Sequence, residues 1–437
     1  HPRVAVHVDD GRSFIRRSTS RYDVIQASLV DTWAATAAGA YTLTENSLYT
    51  TEAFGEYIDH LTDDGLLSIT RWVFDGLRLV TLAQEACAAR GLDAAQHLAI
   101  VRKDRVATFL LKRQPFTPEE STRLQRIADE LEFEVLYAPG AGPRSTAAEP
   151  PEMDRARTRV SDYRELILAP DRERFLASYP IDIRPTTDDR PFFFHTTRLR
   201  DQLNVAFGRS MLFGNGLSAL LTLIGISVLL VALFVGAPLL VGGARPASGW
   251  SRWLLYFGSL GAGFMLLEVA LLQRFVLLLG HPVYSLTVTL FSLLVGTGIG
   301  SFISRRVDQE RLKGAALRAL ATVVVLALLS AMALPVVIDY AIAWPLPFRL
   351  IAAAALLVPA GVLLGVPLPT GMRLVAASRP EIIPWGWGMN GALSVLGAAA
   401  AVFLAMNWGF FVTLSIAALT YGLATAALAG TKSLINN

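Results

Sequence analysis

From residue 211 onward the sequence is a series of apolar runs separated by short basic loops. Seven can be drawn, at roughly 214–241, 253–278, 283–304, 315–338, 348–374, 386–406 and 409–429. Each approaches or exceeds the ~20 residues a helix needs to cross a bilayer. Lipid offers no partner for backbone N–H and C=O groups, so such runs must satisfy them internally, as helices. The second and third runs span Gly258 to Arg306 and contain an acid, Glu268, a polar pair, Gln273 and Arg274, and a break at His281-Pro282. A carboxylate in a membrane core costs a few kcal/mol or more, so it is expected to face the bundle interior. Glu268 lies five residues before Gln273 and six before Arg274. Those spacings disfavour a same-helix pair, so a partner from another helix is expected. Structural pairing and a proton or substrate relay both remain open. Gly365–Arg373 carries two prolines and should break the fifth run, and a broken helix can line a cavity. Asn390 and Asn407 join the embedded polar candidates.

The charges are concentrated ahead of these runs. The chain has 437 residues, 53% hydrophobic and 17% charged, with mean hydropathy +0.45. Soluble domains carry about 25% charged residues, so a soluble part precedes a polytopic membrane part. A net charge of +3 gives no reason to expect nucleic acid. The single cysteine, Cys87, excludes an internal disulfide and a multi-cysteine metal site; its alanine-rich surroundings predict a buried thiol. The first residues, His-Pro-Arg-Val, include neither Met nor a signal peptide and read as a fragment or a processed chain.

The soluble part alternates strand and helix patterns. Arg3–Asp10 reads as a buried strand ending in Asp9, Asp10 and Gly11, with a short helix after it. Tyr22–Val30 is a second strand with Ser28 near its end and Asp31 just beyond. A helix is expected near Thr50–Leu61, a strand at Gly65–Trp72, a helix over Leu77–Arg90 stopped by Gly91, and a hairpin in LAIVRKD-RVATFLLKR. This alternation predicts a mostly parallel, doubly wound α/β sheet, whose ligands bind at the carboxyl ends of its strands. Asp9, Asp10, Ser28 and Asp31 fall there. The acids could equally form turns and caps, and Trp33, Tyr41, Tyr49 and Trp72 could line a pocket or fill core and rim. Residues 1–138 thus form a partial α/β domain, 139–210 a linker and helical closing segment, and 211–437 the membrane domain.

The ordered set HVDDGRSF, YDVIQASLVD and SLYTTEAFGEYIDHLTDDGLLSI resembles the second half of the spermidine/spermine synthase fold. That is a Rossmann-like, class I methyltransferase-type domain. The resemblance covers roughly residues 1–115, and the glycine-rich first half of that fold is expected upstream of His1. It implies S-adenosylmethionine or its decarboxylated form as cofactor, with Asp10 contacting the adenine amino group and Gly11 allowing close backbone approach. The family's second strand ends in an Asp-x-x-Asp pair that binds and deprotonates an amine. Here those positions are Ser28 and Asp31, and serine cannot be the base unaided. TTDDRPFFF resembles the closing segment of the soluble domain in membrane-fused proteins of this kind; an interfacial anchor is the other reading. The patterns around Glu268, His281 and Asn390 are similar to their membrane half.

The resemblance implies a membrane-anchored transferase, methyl- or aminopropyl-, acting on an amine or a lipid-soluble acceptor. The alternative is a transporter-like protein with a degenerate or regulatory soluble domain. The bilayer is the expected partner, in a bacterial-type inner membrane, and a homo-oligomer is compatible. Arginines and lysines at 305–318, 373 and 379 place those loops in the cytoplasm. Seven crossings would then put the soluble domain outside, whereas a nucleoside cofactor requires it in the cytoplasm, which is the side expected here.

Overall fold

The computed structural model describes residues 4–30, 43, 45–141, 160–207, 215–237 and 249–431. They form two compact units, Gly11–Leu217 on the one hand and His1–Asp10 with Ser218–Asn437 on the other.

In the first unit the strands are β1 (Tyr22–Ser28), β2 (Leu61–Trp72), β3 (Leu98–Lys103), β4 (Val106–Lys112) and β5 (Glu134–Tyr137). They form one sheet in the order β1-β2-β4-β3-β5. Its helices are α1 (Gly11–Arg17), α2 (Thr51–Asp59), α3 (Gly76–Ala88), α4 (Ala94–His97), α5 (Pro118–Glu130), α6 (Val160–Ile167), α7 (Arg172–Ser178) and α8 (Gln202–Phe207). The expectation of a mostly parallel sheet is corrected. Only β1 and β2 are parallel, with Ser28 opposite Thr70, and the other three pairings are antiparallel. Connection length is the reason. The segment between β1 and β2 carries α2 and can return the chain in the same direction, whereas β3 and β4 are joined by Asp104-Arg105 and must run oppositely. Residues Val4–Asp10, expected as a strand, form none. Val4, Val6 and Val8 are 65%, 83% and 100% exposed, and without a neighbouring strand an extended segment has no ladder to join.

Each element carries its local cause. Thr50 caps α2 by accepting from Ala53 N–H at 3.2 Å. Thr117 and Glu120 form a reciprocal capping box at α5, in the Thr-x-x-Glu pattern that marks helix starts. One face of the sheet packs against α3 through Leu67, Ile69, Phe109, Leu77 and Val80. Tyr163, Leu166 and Phe193 belong to the same core, so residues 160–207 are folded into this unit. Cys87 is buried there, and burial pushes its thiol up to about 12.

The second unit is helical: α9 (Asn215–Val231), α10 (Trp250–Leu279), α11 (Pro282–Ser304), α12 (Leu312–Ala341), α13 (Leu346–Leu364), α14 (Pro367–Ser378) and α15 (Ile383–Ala429). Among the described residues six helices are long and apolar enough to cross a membrane. The expected break in the fifth run falls between Leu364 and Pro367. The helix α15 holds 47 residues, about 70 Å if straight, against a hydrocarbon core of about 30 Å. It is not straight. Gly409 has φ 89° and ψ 174°, and the chain reverses there. Gly386 lies against Phe257 while the Gly430 carbonyl accepts from Arg252, so both ends of α15 meet the start of α10. The far end of α10 brings Arg274 over the Phe410 ring at 5.3 Å. The last candidate span therefore supplies two arms, one on each side of Gly409.

Small residues set the closest approach. An added Cβ on Gly296 would lie 2.8 Å from Gly361 Cα, and one on Gly361 would lie 3.0 Å from Gly296 Cα. Gly300 meets Val362 and Gly365 meets Thr297. Two Gly-x-x-x-Gly patterns, 296/300 and 361/365, thus interlock between α11 and α13, which is how membrane helices gain contact without a hydrophobic drive. Gly298 faces open space. Gly361→Val should destabilise the detergent-solubilised chain by about 1–3 kcal/mol, read as a lowered melting temperature, whereas Gly298→Val should leave it unchanged. Equal effects of the two would count against the interlock.

Candidate functional site

The parallel pair β1/β2 ends at Ser28 and Thr70, which face each other in register. The chain then enters Leu29 at φ 47°, and Leu29 N–H donates to the Thr70 carbonyl at 3.0 Å. Ser28 is exposed. Its hydroxyl accepts from Gln26 Nε2 at 3.3 Å, and among the described residues no carboxylate or imidazole is hydrogen-bonded to it. Asp31, Trp33 and Tyr41 lie outside the described residues. Asp9 and Asp10 group with the helical unit, where Asp9 Oδ1 lies 3.9 Å from Arg349, while Gly11 begins α1 in the sheet unit.

Next to this edge lies a buried cation. Arg71, the penultimate residue of β2, is fully buried. It bonds Asp75 through Nε and Nη2 at 3.1 and 3.0 Å, and its guanidinium sits over Phe194 at 4.8 Å and Tyr49 at 5.2 Å. Sequence reasoning passed over it, because an arginine one residue from a strand end reads as solvated. The signal was the cluster of aromatics around it, including Phe193 and Phe194.

A second cation holds a larger network. Arg12, on α1, is 1% exposed. It donates to both oxygens of Asp188, at 2.6 and 2.8 Å, and to both of Glu56, at 2.8 and 3.1 Å. Burial alone would lower its pKa, but Asp188 and Glu56 outweigh that and hold it well above the usual range. Thr50 donates to Asp188 at 2.8 Å. Asp188 sits in TTDDRPFFF, and backbone bonds seat that segment: Thr51 N–H to the Thr186 carbonyl at 2.9 Å and Asn46 N–H to the Pro191 carbonyl at 2.7 Å. Arg78 clamps its far end, donating to the Phe193 and His195 carbonyls at 2.5 and 2.8 Å and to that of Asp182. Phe192 and Phe193 are buried at 1% exposure. The segment closes the sheet unit, and its aromatics are core residues rather than an interfacial belt.

Glu52, on the first turn of α2, accepts from the Asp188 N–H at 3.0 Å. Partial desolvation, and then the Asp188 charge, push its carboxyl up to about 7. It can therefore exchange a proton near neutrality, the range useful for acid–base work. No group of three His, Cys, Asp or Glu that could hold a metal occurs among the described residues.

The embedded polar residues do not gather at one point. His281 is exposed and caps α11, its Nδ1 accepting from Val283 N–H at 3.2 Å. Asn390 donates from Nδ2 to the Phe257 carbonyl at 3.1 Å, and Asn407 to Phe403 at 2.9 Å. Arg274 is buried and Gln273 half-buried. Glu268 is 8% exposed, on the face of α10 toward the second arm of α15, and has no hydrogen bond or ion pair among the described residues.

The chain matches no protein-family model, no curated protein and no solved structure.

Two outcomes follow from the network. Arg12→Gln leaves Asp188 without its cation, while Glu56 keeps Arg16 at 2.6 Å, and should cost about 3 kcal/mol or more in denaturant unfolding; a loss under about 1 kcal/mol would refute the node. For Glu52 the folded pKa lies above the unfolded one, so charging it opposes folding. That penalty is absent below about 4.5 and complete above about 7. Glu52→Gln should therefore raise the melting temperature at about pH 8 and leave it unchanged at about pH 4.

Proposed function

We propose that this chain is a membrane-embedded transferase similar to the spermidine-synthase family, with a Rossmann-like sheet unit that takes S-adenosylmethionine or its decarboxylated form. One observation carries the reading. The parallel pair β1/β2, joined through α2, ends in loops at Ser28 and Thr70, and ligands of α/β sheets bind outside the carboxyl ends of parallel strands. The seating of TTDDRPFFF on the same unit supports it, as the resemblance implies a closing segment at that position.

The residues present fit the cofactor in part. Gly11 has open space, the nearest atom to an added Cβ being Leu48 Cδ2 at 4.0 Å, which suits close backbone approach by a cofactor; Asp10 is the residue the resemblance assigns to the adenine. Nothing among the described residues corresponds to a ribose-binding acid. When bound, the cofactor would supply an electrophilic carbon beside its sulfonium. Asp31 would hold the amine of the acceptor. Ser28 would orient it by hydrogen bonding, since among the described residues no base is bonded to its hydroxyl. The acceptor class is an amine or a membrane-soluble molecule. The sheet unit would face the cytoplasm, where such a cofactor is made.

Titration of the detergent-solubilised chain with both cofactor forms decides this. Saturable binding is expected, weakened about tenfold or more in Asp10→Ala. Absence of saturable binding by either form would sink the proposal.

The buried Glu268, without a partner among the described residues, favours a second reading, a transporter-like membrane unit. An ionisable side chain buried in a membrane bundle is a candidate for a substrate or ion pathway. Glu268→Gln should then abolish uptake of organic cations into vesicles, and unchanged uptake would remove this reading.

A further inference from the structure

A groove of about 520 Å³ opens in the sheet unit between α2, the end of α3 and residues 172–190. Its size is that of a small-molecule site. Its lining residues take no part in the transfer chemistry above. Four guanidiniums line it, from Arg90, Arg172, Arg184 and Arg190. Three are committed to hydrogen-bonded carboxylates. Arg90 bonds Asp59 at 2.5 and 2.9 Å, Arg172 bonds Glu85 at 2.8 Å, and Arg184 forks onto Asp182 at 2.7 and 2.9 Å.

Arg190 differs. Its side chain is 18% exposed and its Nη1 lies 3.7 Å from Asp182, beyond hydrogen-bond reach. No side-chain hydrogen bond of Arg190 occurs among the described residues. Burial lowers its pKa, and Asp182, already held by Arg184, offsets this only in part. A half-buried fork whose carboxylate neighbour among the described residues, Asp182, stands 3.7 Å away is suited to a planar carboxylate, which it can bind through two parallel bonds.

An acid is fixed close to it by the same turn. Residues Thr187–Arg190 form a β-turn closed by Arg190 N–H donating to the Thr187 carbonyl at 2.9 Å. The Asp188 N–H inside that turn holds the carboxylate of Glu52. Glu52 and Arg190 both line the groove and both are bonded to the backbone of this one turn, so an anion receptor and a cation receptor share one wall. A purely anionic ligand would also meet Glu52, Glu85 and Glu173 along the lining, and a purely cationic one would meet the guanidiniums. A molecule bearing both charges satisfies both.

We propose that this groove binds a short zwitterionic amino acid, its carboxylate on Arg190 and its ammonium on Glu52. The test is calorimetric titration of the full chain in detergent, without any S-adenosyl compound. The probes are glycine, γ-aminobutyrate and ε-aminocaproate, with butyrate and butylamine as single-charge controls. At least one amino acid should bind saturably and about tenfold or more tightly than either control. Arg190→Gln and Glu52→Gln should each weaken it about tenfold or more, and Arg190→Lys, which keeps the charge but loses the fork, less than Arg190→Gln. Melting curves establish that each variant is folded. Butyrate binding as tightly as the amino acids, no saturable binding by any probe to folded protein, or affinity unchanged in folded Arg190→Gln would each overturn the proposal. Because the titration contains no cofactor, its failure leaves the transferase reading standing, and failure of cofactor binding leaves this site untouched.

Discussion

The guanidinium of Arg12 ties together three parts of the sheet unit that are far apart in sequence. It projects from the first helix, and its acceptors are Glu56 on α2 and Asp188, 176 residues downstream. Removing a cation from water is costly, and the Coulomb gain repays it only where geometry is good and the lone pairs are filled. Both conditions hold here. Each carboxylate receives two bonds from the fork, and Asp188 receives a third from Thr50. The specificity of that arrangement matters more than its net energy. An apolar contact would bring the closing segment to α2 in many registers; a fork shared by two acids permits one. Thr186, Pro191 and the buried phenylalanines follow in their places once Asp188 is seated.

The helical unit solves a different problem. In lipid there is no hydrophobic drive between helices, so contact comes from removing side chains rather than adding them. Gly296, Gly300, Gly361 and Gly365 do this for one helix pair, and Gly261 does it where α10 meets Asn390. Helix ends are then closed by basic side chains. Arg349 donates to the Leu278 carbonyl at 2.9 Å, Arg373 to Ser304 and Val307 at 2.8 and 3.0 Å, and Lys313 to Thr431 at 2.5 Å. Cations belong at helix C-termini, where carbonyls are unpartnered and the dipole is negative. This bears on the charge pattern of the loops. Lys313 and Arg373 were counted as topology signals, yet both are engaged in capping, so part of the loop charge has a structural cause.

What the sequence made legible follows from how local its cause is. Spans, the break before Pro367, the turn at His281-Pro282 and the helices α2 and α3 rest on period, length and local punctuation, and they appear where expected. The direction of strand pairing rests on which segments meet across the sheet, and there the expectation of a mostly parallel sheet failed. The strand β5 and the capped helix α5, which begins Thr-Pro-Glu-Glu, lie inside the expected α/β domain of residues 1–138 but were not drawn as elements. Arg12, Arg71 and Arg78 were passed over for a common reason. A buried arginine is unmarked in a single sequence, because its burial depends on acceptors contributed by residues many positions away.

Three acids in this chain show how surroundings decide what a carboxylate can do. Asp188 has its charge matched by Arg12 and is fixed in the fold. Glu52 is held by backbone N–H groups and lies in the field of Arg12, but desolvation and the Asp188 charge outweigh them and push its carboxyl up to about 7. Glu268 has the least around it, an apolar bundle with no hydrogen bond or ion pair among the described residues. A group that stabilises a fold is paired by that fold, as Asp188 is. A buried acid left without a partner contributes nothing to stability, and its cost is offset only by binding something that comes and goes. Glu268 is the acid to which that reasoning applies, whereas Glu52, an exposed residue bonded by the Asp188 N–H, is tuned by the charge beside it rather than by isolation.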